Sequence, residues 1–497
     1  MKPLLPRATA ILLIAVISTP QLWATCGGGG GGGMGGMSAP GMGSGQGMPA
    51  EQVYNVPWRL LRPDLPPVTD GLVLYWFPSS VQEVQRSSLR TSRVLSLYAS
   101  QCISMEIADA DSPLGQKLIG AGAKLPVAVL ATPGGDAVAK IENKDGYLRA
   151  DPVEKVVEQE FKRRENSVSQ QIKQAKERAK SGDTAGAIPL YRGVLEQKCL
   201  FPGKAKDAAK ALKKLGVNDV GDILNAPDSP SPILAAAESA RIEQTMLSGL
   251  TAENAAQYKK AEELYAEAHR ADPADPTPLR YLGELYRHHI GDWDQARQTF
   301  DEILAMPADP LARAVALHGL GKMTIHEGQF KEGLALMERS VETFPIVLAY
   351  RNLAVYWNSE GNAARTDYYV QKALELELND AYNLVFAAGF MAANGHGDEA
   401  LKIAREHEAM LPASYNLAAI YAQLGQRDKA LALLKRHFFS YERYQAVRAK
   451  EMMEARVDAV FASLMKDPEF IALTSGADGR LPLPQGQGMS PGAGSAH

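Results

Sequence analysis

The chain has 497 residues, a net charge of −4 and 45% hydrophobic residues, so it is long enough for roughly two to four domains with ordinary cores. The acidic balance argues against a nucleic-acid partner, because such partners select basic surfaces. Only three cysteines are present, which excludes a scaffold held together by many disulfides.

The first 24 residues have the three parts of a secretory signal. Lys2 and Arg7 precede the apolar run of residues 8–18, and Leu22-Trp23-Ala24 forms a cleavage site. The apolar stretch is short for a bilayer span, which needs roughly 20 residues. We therefore predict export to the periplasm or cell envelope.

Cys26 follows this signal and precedes an unbroken run of glycine at positions 27–33. The arrangement resembles a bacterial lipoprotein, in which such a cysteine is acylated and becomes the new N-terminus. The resemblance implies that Cys26 is a lipidation site and the one route of membrane attachment. Trp23-Ala24-Thr25 departs from the family's Leu-Ala-Gly/Ala preference, so cleavage after Ala24 by the ordinary signal peptidase stays open.

Residues 25–50 are rich in glycine and methionine. They offer too little apolar area to offset the entropy of ordering, and we predict a flexible tether. Thioethers are soft ligands for Cu(I), so a copper-handling role is an alternative. The methionines concerned are Met34, Met37, Met42 and Met48. We predict no cofactor and no metal site in the main interpretation.

Residues 51–165 predict a domain with the order β-α-β-α-β-β-α. Apolar runs at 72–77, 102–107 and 125–130 are typical of buried strands, and a turn at 134–136 leads into a return strand. With Leu125-Pro126 opening the hairpin strand, this order resembles the thioredoxin fold over residues 71–165. The resemblance implies a cis peptide bond at Pro126.

Redox-active members of that family need two cysteines, two residues apart, where the first helix begins. Here the segment from Phe77 to Glu83 has no thiol, and Ser79 and Ser80 are typical of a helix cap. We therefore predict a redox-inactive domain. The alternative is a thiol or peroxide enzyme that uses Cys102 alone.

Cys102 lies in an apolar strand pattern and Cys199 near a predicted helix end. We expect two separately packed thiols, because a free cysteine behaves as a small apolar side chain. A bridge between them in an oxidising compartment stays open.

The apolar spacing from Asp151 to Ala179 predicts one long helix that leaves the α/β domain. It continues into residues 166–214, which we interpret as a linking helix and a first repeat-like unit. The prolines and glycine of residues 215–231 predict an irregular connection.

Residues 232–445 repeat one pattern: a turn glycine, a small residue five positions on, and a larger apolar residue four positions further. The turn residues are Gly291, Gly328, Gly361, Gly395 and Gly425, at intervals of 37, 33, 34 and 30 positions. The residues at the small position are Ala296, Gly333, Thr366, Ala400 and Ala430. An earlier copy has Ala256 in place of the glycine, and a distant copy begins at Gly182.

The period near 34 resembles the tetratricopeptide repeat, a helix–turn–helix unit that stacks into a solenoid. Glycine can take the left-handed conformation that ends a helix, and the small residue lets two helix axes approach closely. The resemblance implies that the first helices line a concave groove, where an asparagine nine residues before the glycine bonds a bound peptide. Asn352 and Asn416 match, and Arg351 stands beside the first. Alternatively, these asparagines hold the two helices of one pair together and do not contact a partner.

No phosphate loop, nucleophile elbow or zinc-binding helix occurs in the sequence, and His288-His289 is typical of surface or packing residues. Residues 446–474 predict capping helices, and residues 475–497 a disordered tail. The fold class is therefore an α/β thioredoxin-like domain followed by an all-α tetratricopeptide solenoid. We predict an exported, non-catalytic protein that binds a protein or peptide partner in the cell envelope.

Overall fold

The computed structural model describes residues 52–62, 67–217, 220–221, 234–376, 380–409, 411, 415–441, 445–456 and 458–475. The predicted leader, Cys26, the methionine-rich tether, residues 476–497 and most of the connection at 215–231 lie outside these ranges. Within the described ranges, we find no helix that combines the length and the apolar character of a bilayer span.

A small mixed sheet forms the N-terminal part of the molecule. Its order is β1-β3-β2-β4-β5, with β1 and β2 parallel to β3, and with β4 antiparallel to both β2 and β5. The strands are β1 Arg59–Leu60, β2 Leu72–Phe77, β3 Ile103–Ile107, β4 Val127–Ala131 and β5 Ala137–Glu142. The helices of this part are α1 Val81–Arg86, α2 Arg93–Ser100 and α3 Pro113–Ile119.

The two central strands, β2 and β4, are buried along their whole length. Side chains alternate between the faces of a strand, and in β2 they divide between two apolar clusters. Leu72, Leu74 and Trp76 enter the larger cluster, while the residues between them enter the smaller cluster on the opposite face. This is why the sequence shows continuous apolar runs in place of a polar alternation.

The peptide bond between Leu125 and Pro126 is cis, at the entry to β4. At the start of α1, Ser80 Oγ accepts a hydrogen bond from the backbone N–H of Glu83, 3.1 Å away. That contact satisfies one of the free N–H groups of a helix N-terminus, which is the capping role that the sequence indicates.

A single helix, α4 (Ala150–Lys180), joins the sheet to the helical part of the chain. Val153 and Val157 near its start and Ala175 near its end belong to the same apolar cluster as the inner residues of β2. Helices α5 (Thr184–Leu195) and α6 (Pro202–Lys214) follow and share that cluster. The α/β part and helices α5 and α6 therefore have one continuous core.

Cys102 and Cys199 form a disulfide across 97 positions of sequence, with Cα atoms 5.7 Å apart. The expectation of two separately packed thiols is wrong. Cys102 precedes β3 and Cys199 follows α5, and the long α4 brings these two places together. Since neither residue has a partner close to it in the sequence, no local pattern reveals the pairing.

Six antiparallel helix pairs follow within the described ranges and stack as a solenoid. They are α7 Ala236–Asn254 with α8 Tyr258–Ala271, α9 Thr277–Glu284 with α10 Trp293–Ala305, α11 Pro310–His326 with α12 Phe330–Thr343, α13 Val347–Ser359 with α14 Ala363–Leu376, α15 Ala381–Ala393 with α16 Gly397–His407, and α17 Tyr415–Gln423 with α18 Arg427–Arg436. A π-helical turn, Leu285–Ile290, extends α9, and another, His437–Tyr441, extends α18.

The end of the solenoid is covered by α19 (Gln445–Ala455), a 3₁₀ turn at Ala459–Leu464 and α20 (Pro468–Thr474). Phe461 and Phe470 of this segment are buried in the same cluster as Leu417 and Leu434 of the last pair. The segment therefore buries apolar surface that the last unit would otherwise expose.

Candidate binding surface

The turn glycines all have positive φ, between 71° and 90°, so each adopts the left-handed conformation between the two helices of its pair. A Cβ built on any of the five would meet nothing within 4 Å, which leaves backbone conformation as the reason for glycine. Ala256 has a φ of 58° at the equivalent place in the α7–α8 pair, although it carries a side chain. The turn geometry thus persists where the glycine is lost.

Glycines inside the first helices are required for a different reason, because a large side chain packs directly against their backbone. A Cβ on Gly283 of α9 or on Gly319 of α11 would lie 2.4 Å from the ring of Phe300. Phe300 is fully buried and belongs to α10, so it packs against its own unit and against the next one. A Cβ on Gly249 would meet the ring of Tyr265 at the same distance in the pair before. Phe300 thus lies against the first helices of two neighbouring units, α9 and α11.

Of the predicted groove residues, Asn352 on α13 is 2% exposed. Its Nδ2 donates a hydrogen bond to Nε2 of His318 on α11, 2.8 Å away. Burial lowers the pKa of His318 to about 3, so the ring is neutral and can accept this bond. Asn352 therefore joins two consecutive units, whereas the alternative that the sequence leaves open is a contact within one helix pair.

Arg351 and Asn416 are also buried, with 8% and 4% of their surface exposed. The amide nitrogen of Asn416 has no hydrogen-bond partner in the described part of the chain. The three predicted groove residues thus lie on the first helices α13 and α17, but none of them is presented openly to a partner.

A row of polar side chains continues from Asn352 towards the preceding unit. Glu284 of α9 binds Arg287 at 2.5 Å, and both lie near His318. Burial raises the pKa of Glu284, but the neighbouring Arg287 outweighs it, so the net pKa is lowered. His289, in the turn that extends α9, lies 3.3 Å from Glu253 of α7 and stacks on the ring of His288. The His289 side chain is therefore packed inside the array, whereas His288 is exposed, and both places fit the surface or packing role that the sequence indicates.

The sequence does not reveal a second polar cluster, which lies where the α/β part meets the solenoid. We define the junction cluster as Tyr54, Arg93, Ser239, Asp272 and Asp275. Arg93, on α2, enters the solenoid with only 2% of its side chain exposed and binds Asp272 at the end of α8. Its Nη1 donates to Oγ of Ser239 at 2.5 Å, and its Nε lies 3.4 Å from Asp275.

Tyr54 completes the junction cluster from the N-terminal segment. Its hydroxyl donates to Asp275 at 2.8 Å and accepts from Nε of Arg93 at 3.2 Å. Burial raises the pKa of Tyr54 well above its usual value, so the phenol stays protonated and can donate. Burial also raises the pKa of Asp272, although Arg93 opposes the change.

The bonds of the junction cluster join residues that are 39 to 221 positions apart in the chain. In the sequence, Asp272-Pro273-Ala274-Asp275-Pro276 is typical of a turn between helices, and Arg93 is typical of a solvated helix start. No motif connects them.

The N-terminal segment 52–62 contacts the solenoid near both of its ends, while β1 in its middle belongs to the sheet. The hydroxyl of Tyr281, on α9, lies 3.4 Å from the carbonyl oxygen of Gln52 and 3.5 Å from that of Val53. At the other end of the segment, Arg62 binds Glu375 of α14 at 3.3 Å. Part of the surface formed by the first helices is therefore occupied by the chain itself.

Among the described residues, no group of three or more histidines, cysteines or carboxylates could hold a metal ion. The methionine-rich tether of the copper alternative, and Cys26, lie outside the described ranges. Cys102 is bonded to Cys199, so the single-thiol alternative has no free thiol at that position in this structure.

Residues 279–314 match the family model of the tetratricopeptide repeat. The Protein CTR9 homolog of Arabidopsis thaliana is 25% identical over 203 residues, which cover 38% of this chain and 18% of that protein. The chain therefore spans only a small part of the curated relative that it matches.

Two solved structures are similar to parts of the chain. The crystal structure of PilW, a widely conserved type IV pilus biogenesis factor, is 20% identical, covers 51% of this chain and 98% of its own, and has a TM-score of 0.27. The tetratricopeptide domain of P58(IPK) is 11% identical, covers 63% of this chain and 97% of its own, and has a TM-score of 0.19. The residues that match the family model run from α9 into α11, and tetratricopeptide repeats generally mediate protein–protein interactions.

Proposed function

From these repeats we propose that the chain is an exported, non-catalytic interaction protein that binds a protein or peptide of the cell envelope on the first-helix surface of its solenoid. The observation that supports this most is the stack of helix pairs, because it builds one extended surface from successive first helices. On the first helix α13, Val355 is half-buried and Asn358 is exposed, so both positions are accessible from solvent.

We propose further that the N-terminal sheet is a thioredoxin-like domain without redox activity. The central parallel pair β2–β3, the antiparallel β4 and β5, and the cis bond at Pro126 support the resemblance. The start of α1 offers serine where a reactive thiol would stand, and Ser80 is engaged as a cap. A serine hydroxyl cannot form a mixed disulfide, so dithiol exchange has no chemistry at this place.

Export is supported by the disulfide between Cys102 and Cys199. Such bonds persist in oxidising compartments and are rare in the reducing cytosol. The mass of the mature N-terminus, measured on protein from the source cells, separates acylated Cys26 from cleavage after Ala24. A chain that retains residues 1–24 in the cytosol would contradict export.

Site-specific photo-crosslinking in cells tests the interaction role. A photoreactive residue at position 355 or 358 should give one defined protein adduct. The matched control is position 331, which is exposed at the start of the second helix α12. Equal adducts from the control, or none from α13, would count against binding on the first-helix surface.

An insulin-reduction assay tests the redox part separately. We expect no turnover from the purified chain. Turnover that disappears in Cys102→Ser would favour the thiol enzyme instead.

A further inference from the structure

We propose that the α7–α9 part of the first-helix surface is a binding site for an extended peptide segment with a tyrosine anchor, and that residues 52–55 of this chain occupy the site as an exchangeable internal ligand. This inference deepens the proposed function, since it names the peptide chemistry that one part of the surface accepts and a way to regulate access.

The first support is the way the N-terminal segment divides between two cores. Val53 and Tyr54 are 3% and 1% exposed and belong to the apolar cluster of the solenoid, with Met246 and Leu285. Val56, two residues on, belongs to the cluster of the sheet. Its N–H also donates to the carbonyl of Arg90 in the α/β part. The apolar contacts of residues 53–54 are therefore with the solenoid, while Arg93 of α2 also binds the Tyr54 hydroxyl, and from Val56 onwards the segment packs on the α/β part.

The second support is the recognition of backbone as well as side chain. Residues 52–58 form no helix or strand, and the Tyr281 hydroxyl lies near two successive carbonyl oxygens of Gln52 and Val53. A hydroxyl placed at successive carbonyls suits an extended segment of any sequence. The side-chain pockets then provide the selectivity.

The third support is the selectivity of the tyrosine pocket. The phenol donates to Asp275 and accepts from Arg93, so both functions of one hydroxyl are used. A phenylalanine would leave the buried carboxylate and the buried guanidinium each short of one partner, and such pairs carry strong discrimination. The site therefore favours an apolar residue followed by tyrosine.

The test uses the full chain and a fluorescent peptide that spans its residues 50–58. Tyr54→Ala removes the internal anchor and should let the peptide bind at least about tenfold more tightly than it binds the unaltered chain, measured by fluorescence anisotropy. A peptide with phenylalanine in place of tyrosine should bind about tenfold more weakly, the loss of one hydrogen bond to a charged group. A Tyr54→Ala chain that unfolds cooperatively yet binds no peptide would overturn the proposal. Equal binding by the unaltered chain would overturn it too.

Hydrogen exchange on the unaltered chain gives a second measure, in case Tyr54→Ala does not fold. The amides of residues 53–55 should exchange at least about 100-fold faster than those of β2, since release of the segment is a local opening. If the amides of residues 53–55 and those of β2 exchange only when the whole chain unfolds, the segment is a fixed part of the structure and the proposal is overturned. Crosslinks from positions 355 and 358 do not depend on this site, so failure here is distinguishable from failure of the proposed function.

Discussion

Two buried regions of this molecule are built in opposite ways. In the stacked units from α9 to α12, glycines receive aromatic or aliphatic side chains, as Gly283 and Gly319 receive Phe300. At the junction cluster, the end of α8 instead buries Asp272 and Asp275 around an arginine from another part of the chain. In the described residues, the glycine contact recurs from unit to unit, whereas the charged contacts of the junction cluster join the α/β part to the end of α8.

The largest effect is expected from removing the shared cation. Arg93→Ala leaves Asp272 and Asp275 as buried carboxylates without it, and should lower the free energy of unfolding by about 3–5 kcal/mol. Urea unfolding followed by circular dichroism measures the loss. The matched control is Arg163→Ala, which removes an exposed partner of Glu160 and should cost under about 1 kcal/mol. A loss below about 1 kcal/mol for Arg93→Ala would show that the junction does not depend on this charge.

Packing in the repeats can be broken at one small position. In Gly333→Ala the new Cβ would lie 2.4 Å from Ile325 Cγ1 and 2.6 Å from the carbonyl oxygen of Gly321, which belongs to the backbone of α11. We expect the free energy of unfolding to fall by about 2 kcal/mol, because a helix backbone cannot yield as a side chain can. Gly328→Ala is the comparison, since its Cβ meets nothing and only the left-handed backbone costs about 1 kcal/mol. A smaller loss for Gly333→Ala than for Gly328→Ala would contradict close helix approach.

Asp458 is a buried carboxylate that, unlike Asp272 and Asp275, has no cation among its described contacts. It accepts hydrogen bonds from the Tyr415 hydroxyl, 3.1 Å away, and from the Val460 N–H. Burial raises the pKa of Asp458 to about 6 from its ordinary 3.8. The folded state thus binds the proton more tightly, so stability is highest near pH 4, falls as the pH rises to about 6, and then levels off. The fall is at most about 3 kcal/mol for this group.

Asp458→Asn should remove that part of the pH dependence and stabilise the chain by about 1 kcal/mol at pH 7. Unfolding by urea at pH 4.5 and pH 7 measures both effects. If the variant keeps the parent's full difference between these two pH values, then Asp458 is not its source.

The smallest effect is expected at Ala256, which occupies the turn position where the other units have glycine. Ala256 has a positive φ, which costs about 1 kcal/mol for a residue with a side chain. Ala256→Gly should therefore stabilise by about 0.5 kcal/mol, because greater freedom of the unfolded chain offsets part of the gain. Ala255→Gly is the matched control and should destabilise, since φ at Ala255 is −87°. Differential scanning calorimetry of both variants decides the sign.

The repeats could be predicted from the sequence because their signals are local. A left-handed turn needs glycine at one position, and a close helix contact needs a small residue five positions later; both lie in one unit. For similar reasons, the apolar runs indicate the order of β2 to β5 along the chain, whereas the short β1 has no such signal. The long α4 follows from the spacing of its apolar residues.

The sequence by itself therefore determined the units, their turns and the order of elements, since short-range backbone and packing rules act over a few residues. Only the tertiary structure decided that Cys102 pairs with Cys199, that Asn352 braces His318, and that Arg93 meets Tyr54 and two aspartates. The physical reason is that these contacts join residues from 34 to 221 positions apart. Their side chains have no individual preference that reveals a partner, and their meeting depends on how far α4 and the stacked units carry the chain through space.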